Sequence, residues 1–151
     1  MKERVVNFLR VSFPFLLTLV LWRLSNAFWN PGGILCLIPI FFCTFVRPMP
    51  GFGLFGVFMC FLLDYKFDSL LYWTAVYCFC YALNGFQSVI DLSRRDKNGI
   101  DAFSVFLAIN IFILFVMRAG WHNLVCALWM LVLAIALYLP VTVMIERTTH
   151  D

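Results

Sequence analysis

The chain has 151 residues, of which 64% are hydrophobic and 13% are charged, and its formal net charge is +3. A soluble domain of this length carries about a quarter charged residues along all its helices and strands, so the composition argues against a soluble globular protein. The small positive charge needs no nucleic acid to explain it, because basic loops beside membrane helices meet anionic lipid headgroups. We therefore expect an integral membrane protein that contacts lipid and no nucleic acid.

Six long uncharged stretches, separated by short charged segments, divide the sequence. They are Val11–Trp22, Leu24–Val46, Pro48–Leu63, Ser69–Ile90, Ala102–Met117 and Ala119–Ile145. An Asp, Lys or Arg at the centre of a membrane helix costs about 2.5–3.5 kcal/mol. The absence of such residues from long stretches is what a bilayer requires.

The sequence predicts a single transmembrane domain, an all-α bundle of about six helices. The predicted helices cover residues 5–29, 33–46, 52–63, 70–86, 102–117 and 124–145. Because crossing about 30 Å of hydrocarbon takes about 20 helical residues, the second and third helices are short. Five spanning helices, or a re-entrant second and third pair, are the alternatives.

Proline and arginine residues predict where the first two helices bend and end. Pro14 has no N–H to donate and therefore predicts a kink in the first helix. Arg23 falls near the outer end of that helix, where it can reach the interface or pair with an acidic group inside the bundle. The second helix is predicted to end at Arg47-Pro48-Met49-Pro50, because prolines exclude the preceding residues from a helix and Arg47 complements the negative end of its dipole.

A glycine-rich segment opens the third predicted helix. Gly51-Phe52-Gly53-Leu54-Phe55-Gly56 has the spacing of a dinucleotide-binding loop. Such a loop follows a strand and belongs to a βαβ unit, whereas this segment enters an apolar helix. Small residues that let two membrane helices approach closely are the better interpretation.

The third helix is predicted to end at Asp64. Asp64 and Asp68 are four residues apart, a spacing at which two carboxylates can bind Mg²⁺, as the CDP-alcohol phosphotransferases do. The motif of those enzymes has a glycine where this chain has Cys60, and its upstream Asp-Gly-x-x-Ala-Arg is missing here. An interfacial loop is the simpler interpretation, in which Asp64 could also cap or pair with a neighbouring helix.

Few polar residues lie within the uncharged stretches. Asn110 falls midway along the fifth predicted helix, where an asparagine can hydrogen-bond to another helix. The six cysteines all lie in apolar stretches, and neither His122 nor His150 has a partner at a metal-ligand spacing. We find no cofactor or metal motif and no catalytic motif, and we predict a protein that is not an enzyme.

The basic residues predict the orientation in the membrane, because cytoplasmic loops carry an excess of Lys and Arg. With six spans and the amino terminus inside, eight basic residues face the cytoplasm and three face outward. The strongest determinant is the loop 91–99, which carries Arg94, Arg95 and Lys97. Both termini are therefore predicted to be cytoplasmic.

Three motifs resemble the MreD family of bacterial rod-shape-determining membrane proteins. Ile38–Pro48 is similar to the second apolar segment of that family, which ends in an Arg-Pro corner. Gly56–Asp64 resembles its Phe-x-x-Gly-Leu-x-x-Asp ending, and Leu137–Pro140 resembles the Leu-Tyr-Pro of its last helix. The family's Ser-Gly-x-x-Leu-Gly turn is here Phe67–Tyr72, which contains no glycine.

The resemblance implies a fold similar to the membrane substrate-binding subunits of energy-coupling-factor transporters, placed in the bacterial inner membrane. It implies a non-enzymatic scaffold of the cell-elongation machinery that helps to maintain rod shape by organising peptidoglycan synthesis. Its partners would be an MreC-like protein and, through it, the MreB filament and the cell-wall synthases. The candidate structural or partner-contact residues are Arg47, Pro48, Asp64, Arg94, Arg95 and Lys97.

A small-molecule transporter subunit of the vitamin type is the alternative function, because the same type of bundle serves that purpose. This alternative predicts a polar pocket that opens outward. The groups that could line it are sparse and include Asn26, Asn30, Asp64 and His122.

Overall fold

The computed structural model describes residues 2–28, 34–67, 70–85, 99–118 and 121–150. Within these ranges every regular element is helical and no strand occurs, so the predicted all-α fold with six helices is confirmed. The helices are α1 (Lys2–Phe28), α2 (Leu37–Phe41), α3 (Phe52–Phe67), α4 (Tyr72–Gly85), α5 (Ile100–Arg118) and α6 (Trp121–His150).

A short helical segment forms the centre of the bundle. The 3₁₀ turn Ile34–Cys36 precedes α2 and the π-helical turn Phe42–Val46 follows it, so the chain is helical throughout 34–46. This central segment is apolar on all sides, and each of its side chains from 35 to 44 is buried, as expected of such a helix. At 1.5 Å per residue it is about 20 Å long, which is less than the thickness of a hydrocarbon core.

The other helices pack around the central segment. Helices α1 and α6 run along it, and α3 and α4 pack against its π-helical turn. Helices α3 and α4 form one hairpin, and α5 and α6 form another. In the second hairpin the rings of Phe103 and Tyr138 stack at a centroid distance of 4.6 Å, and both side chains are fully buried.

Two helices extend beyond their predicted ends. Helix α6 continues to His150 rather than ending near residue 145, and within this last part the hydroxyls of Thr148 and Thr149 donate to main-chain carbonyls one turn earlier. Helix α3 continues to Phe67. The interpretation of Asp64 as part of an interfacial loop is therefore wrong, since this residue lies within α3.

Large apolar side chains cover the outside of the helices. On α3 they recur at helical spacing and are Leu54, Phe58, Phe61 and Tyr65. Among the described residues, two helices are long and apolar enough to cross a membrane, at Glu3–Leu24 in α1 and at Leu128–Thr149 in α6. An apolar exterior of this kind marks a surface that meets lipid or another protein.

Candidate functional site

The carboxylate of Asp64 lies inside the bundle, where the residue is 3% exposed. The backbone N–H of Trp73 donates to Oδ1 at 2.9 Å, and both the backbone N–H and the hydroxyl of Thr74 donate to Oδ2 at 2.7 Å. These N–H groups belong to the first turn of α4 and have no partner within that helix. Asp64 of α3 thus caps the start of α4, and its negative charge meets the positive end of the α4 dipole.

The turn before α4 is strained. Leu70 and Leu71 have φ angles of 50° and 60°, a left-handed conformation that costs roughly 1–2 kcal/mol for each residue with a side chain. A hydrogen bond to a charged group contributes about 1.5–3 kcal/mol. The three bonds to Asp64 therefore act against the strain of both leucines.

Two glycines of α3 face two tyrosines of α4. A Cβ atom on Gly56 would lie 2.5 Å from Cζ of Tyr77, and a Cβ atom on Gly53 would lie 3.0 Å from Cε2 of Tyr81. The absence of side chains at these positions lets α3 and α4 approach closely. This is the packing role that the sequence predicted for the glycine-rich segment.

Buried polar side chains link further helices to α4. The Tyr77 hydroxyl lies 2.9 Å from the Thr44 hydroxyl in the central segment and donates to the Gly53 carbonyl of α3 at 3.2 Å. The Tyr72 hydroxyl donates to Oδ1 of Asn110 in α5 at 2.7 Å. The predicted hydrogen bond of Asn110 across helices is thus confirmed, and α4 is bonded to three neighbouring elements.

An ion pair joins the central segment to α6 at the opposite end of the bundle. Nη2 of Arg47, at the end of the central segment, lies 2.9 Å from Oε1 of Glu146 in α6, and the two side chains are 47% and 27% exposed. Gly99, with a φ of 63°, packs against Val46 beside this pair, where a Cβ would lie 2.5 Å from Cγ2 of Val46. Pro48, the residue after Arg47, is exposed in the corner between the central segment and α3.

Of the other candidate residues, some lie beyond what the structure describes. These are Arg94, Arg95 and Lys97 of the basic loop, together with Asp68 and Asn30; the side chains of Asn26 and His122 are also outside the described set. Asp64 is the one transporter candidate whose side chain is described, and it faces the start of α4 rather than an outward pocket. Arg23 is exposed on α1.

We expect a weak coupling between Arg47 and Glu146. In a double-mutant cycle of Arg47→Gln and Glu146→Gln, the interaction energy should be about 0.5 kcal/mol, because both side chains are partly exposed and solvent screens the pair. Denaturant unfolding of the purified chain in detergent, at low and at high salt, measures this energy. A coupling above about 3 kcal/mol that salt does not reduce would show instead that the pair is buried.

Metal-ligating side chains stay apart in the part of the chain that the structure describes. Across 2–28, 34–67, 70–85, 99–118 and 121–150, no three His, Cys, Asp or Glu side chains come together in a way that could hold a metal ion. An apolar recess between the central segment, α3, α4 and α5 is lined by residues such as Leu37, Phe41, Cys60 and Phe106, and its volume is about 10 Å³. That volume is about what a single water molecule needs.

Among the buried polar side chains of the described residues, Thr44, Asp64 and Asn110 bond one helix to another, whereas Thr18 and Thr142 bond to carbonyls of their own helices. Comparisons with protein-family models, curated proteins and solved structures gave no match to this chain. The geometry of the bundle and the short motifs of the sequence are what bear on its function.

Proposed function

We propose that this chain is a multi-pass protein of the bacterial inner membrane and a non-enzymatic scaffold of the cell-elongation machinery. In this role it binds an MreC-like protein and, through it, the MreB filament and the cell-wall synthases. It thereby helps to maintain rod cell shape by organising peptidoglycan synthesis. The proposed partners come from the resemblance of the Arg47-Pro48 corner and the Asp64 segment to the MreD family.

The apolar exterior supports the membrane part of this proposal. Leu54 of α3 is 83% exposed, Phe112 of α5 is 66% exposed and Trp129 of α6 is 62% exposed. In water this much apolar surface is unfavourable by about 25 cal/mol for each Å², whereas hydrocarbon accommodates it. Helix α6 has the length to cross the membrane at Leu128–Thr149, and the shorter helices would pack beside it.

The observation that carries the scaffold role is how the buried polar side chains are used. Asp64 bonds to the start of α4, Thr44 bonds to Tyr77, and Asn110 bonds to Tyr72. A catalytic or transport centre needs polar groups directed at a substrate or along a path. Here these groups fix helices to one another, which suits a protein that presents a rigid surface to partners.

A cellular experiment tests this proposal. Depletion of the chain in the rod-shaped bacterium that encodes it should produce round cells, and re-expression should restore rods. A tagged chain isolated in mild detergent should recover an MreC-like protein, and reporters fused to either terminus should be active in the cytoplasm. Cells that keep their rod shape and a purification without that partner would contradict the proposal, and thermal stabilisation by a vitamin would favour the transporter alternative.

A further inference from the structure

The first turns of α1 extend past the part of the helix that packs in the bundle. The ring of Phe15 contacts those of Phe52 and Phe55 at centroid distances of 4.9 Å and 5.0 Å, and Phe52 begins α3 directly after the proline corner. The residues of α1 before Phe15 add about 20 Å of helix. From Glu3 to Leu9 every side chain is exposed, so no described element packs on this stretch.

We call residues 2–12 the α1 extension, and this helix is amphipathic. Its exposed apolar side chains lie between 52% and 71% exposed and are Val5, Val6, Phe8, Leu9 and Val11. Glu3, Asn7 and Arg10 follow one another at spacings of four and three, which places them together on the other face, and Val11 borders that polar face. The apolar face of such a helix contacts none of the described elements, so it must be covered by lipid or by another protein.

We propose that the α1 extension lies in the headgroup region of the cytoplasmic leaflet and binds anionic phospholipids there. Charge selects this occupant, because Lys2, Arg4 and Arg10 outnumber the single acid Glu3. An anionic leaflet attracts each basic side chain near its surface, and the apolar face adds burial at the boundary with the acyl chains. The inference rests on the membrane location proposed above.

The α1 extension can lie along the membrane surface while the rest of α1, from Pro14 onward, stays packed in the bundle. Pro14 stands where the extension ends, and because it has no N–H the helix lacks one hydrogen bond there and can bend. The remainder of α1, from Pro14 to Phe28, is about as long as α3 and α4, which have 16 and 14 residues. Helix α1 therefore does not need the extension to match the length of the hairpin of α3 and α4.

Photo-cross-linking of the full chain tests this inference. The chain is reconstituted into nanodiscs of phosphatidylcholine, with or without phosphatidylglycerol. It carries benzoylphenylalanine in place of Phe8, and the matched control on the polar face carries it in place of Asn7. Mass spectrometry should find lipid adducts at position 8, several-fold more abundant with phosphatidylglycerol, and few at position 7. The variant Arg4→Gln/Arg10→Gln should lose most of this dependence on anionic lipid, whereas Arg23→Gln should keep it.

Two other results would overturn the inference. Equal lipid adducts at positions 7 and 8 in both lipids would mean that the extension is a straight part of a spanning helix. Cross-links at position 8 to a second copy of the chain would mean that the apolar face is a protein interface. Flotation with liposomes tells the membrane location apart from lipid binding by the α1 extension. A chain that does not float contradicts the membrane location. A chain that floats without adducts at position 8 contradicts only the proposal that the α1 extension binds lipid.

Discussion

Replacing Asp64 with alanine should lower the free energy of unfolding by about 3–5 kcal/mol. The substitution leaves the backbone N–H groups of Trp73 and Thr74 without their acceptor at a site that is 3% exposed, and it leaves the left-handed turn before α4 without its compensation. Asp64→Asn should cost less, about 1–2 kcal/mol, because the amide oxygen still accepts a hydrogen bond. The remaining cost arises because the new NH₂ group faces a donor of α4. Denaturant titration in detergent, followed by circular dichroism, gives both values.

Asp101 provides the matched control for this cap. It lies in the first turn of α5 and is exposed, so Asp101→Ala removes an interaction with a helix dipole that contributes about 0.3–1 kcal/mol. If Asp64→Ala is no more destabilising than Asp101→Ala, the bond from α3 to the start of α4 does not hold the hairpin together. The slope of unfolding against denaturant should be the same for both variants.

Replacing Gly56 with valine should lower the free energy of unfolding by about 2–3 kcal/mol, because it overpacks the contact between α3 and α4. The new side chain meets the ring of Tyr77, which is 4% exposed and is bonded to Thr44 and to the Gly53 carbonyl. Tyr77 therefore cannot turn aside without losing both hydrogen bonds. Thermal unfolding in detergent, monitored by near-ultraviolet circular dichroism of the tyrosines, measures the loss.

The same substitution at Gly53 is the control for Gly56. Gly53 faces Tyr81, which is 52% exposed and can rotate away from a new side chain. Gly53→Val should therefore cost less than about 1 kcal/mol. Equal costs at the two positions would show that the loss comes from placing a β-branched residue in α3 and not from the contact with Tyr77.

Hydropathy was sufficient to predict the helices and their order. A stretch without charges becomes a helix because each polar backbone group must be satisfied within an apolar environment, and this reasoning predicted the six helices seen in the described residues. Proline chemistry likewise predicted the corner at Arg47. There the N–H of Arg47 bonds to the Phe42 carbonyl at 2.8 Å, and Pro48, the next residue, has no N–H to continue the ladder.

The partners of the polar side chains could not be predicted in this way. Hydropathy assigns a free-energy cost to burying Asp64. It does not show that the backbone N–H of Trp73, nine residues later, donates to this carboxylate. The steric preference of a left-handed turn is for glycine, which has no Cβ atom, whereas Leu70 and Leu71 adopt that conformation here. The ion pair of Arg47 with Glu146 joins residues almost a hundred positions apart, which no local pattern encodes.

The cap on α4 has a consequence for how the chain is assembled. Three hydrogen bonds to Asp64 come from α4, so during synthesis α3 carries a buried carboxylate whose donors have not yet been made. An unpaired carboxylate opposes entry into an apolar phase, and the two helices are joined by a turn short enough to close quickly. In the membrane location proposed above, helices α3 and α4 should therefore insert together, as one folded hairpin rather than as two successive helices.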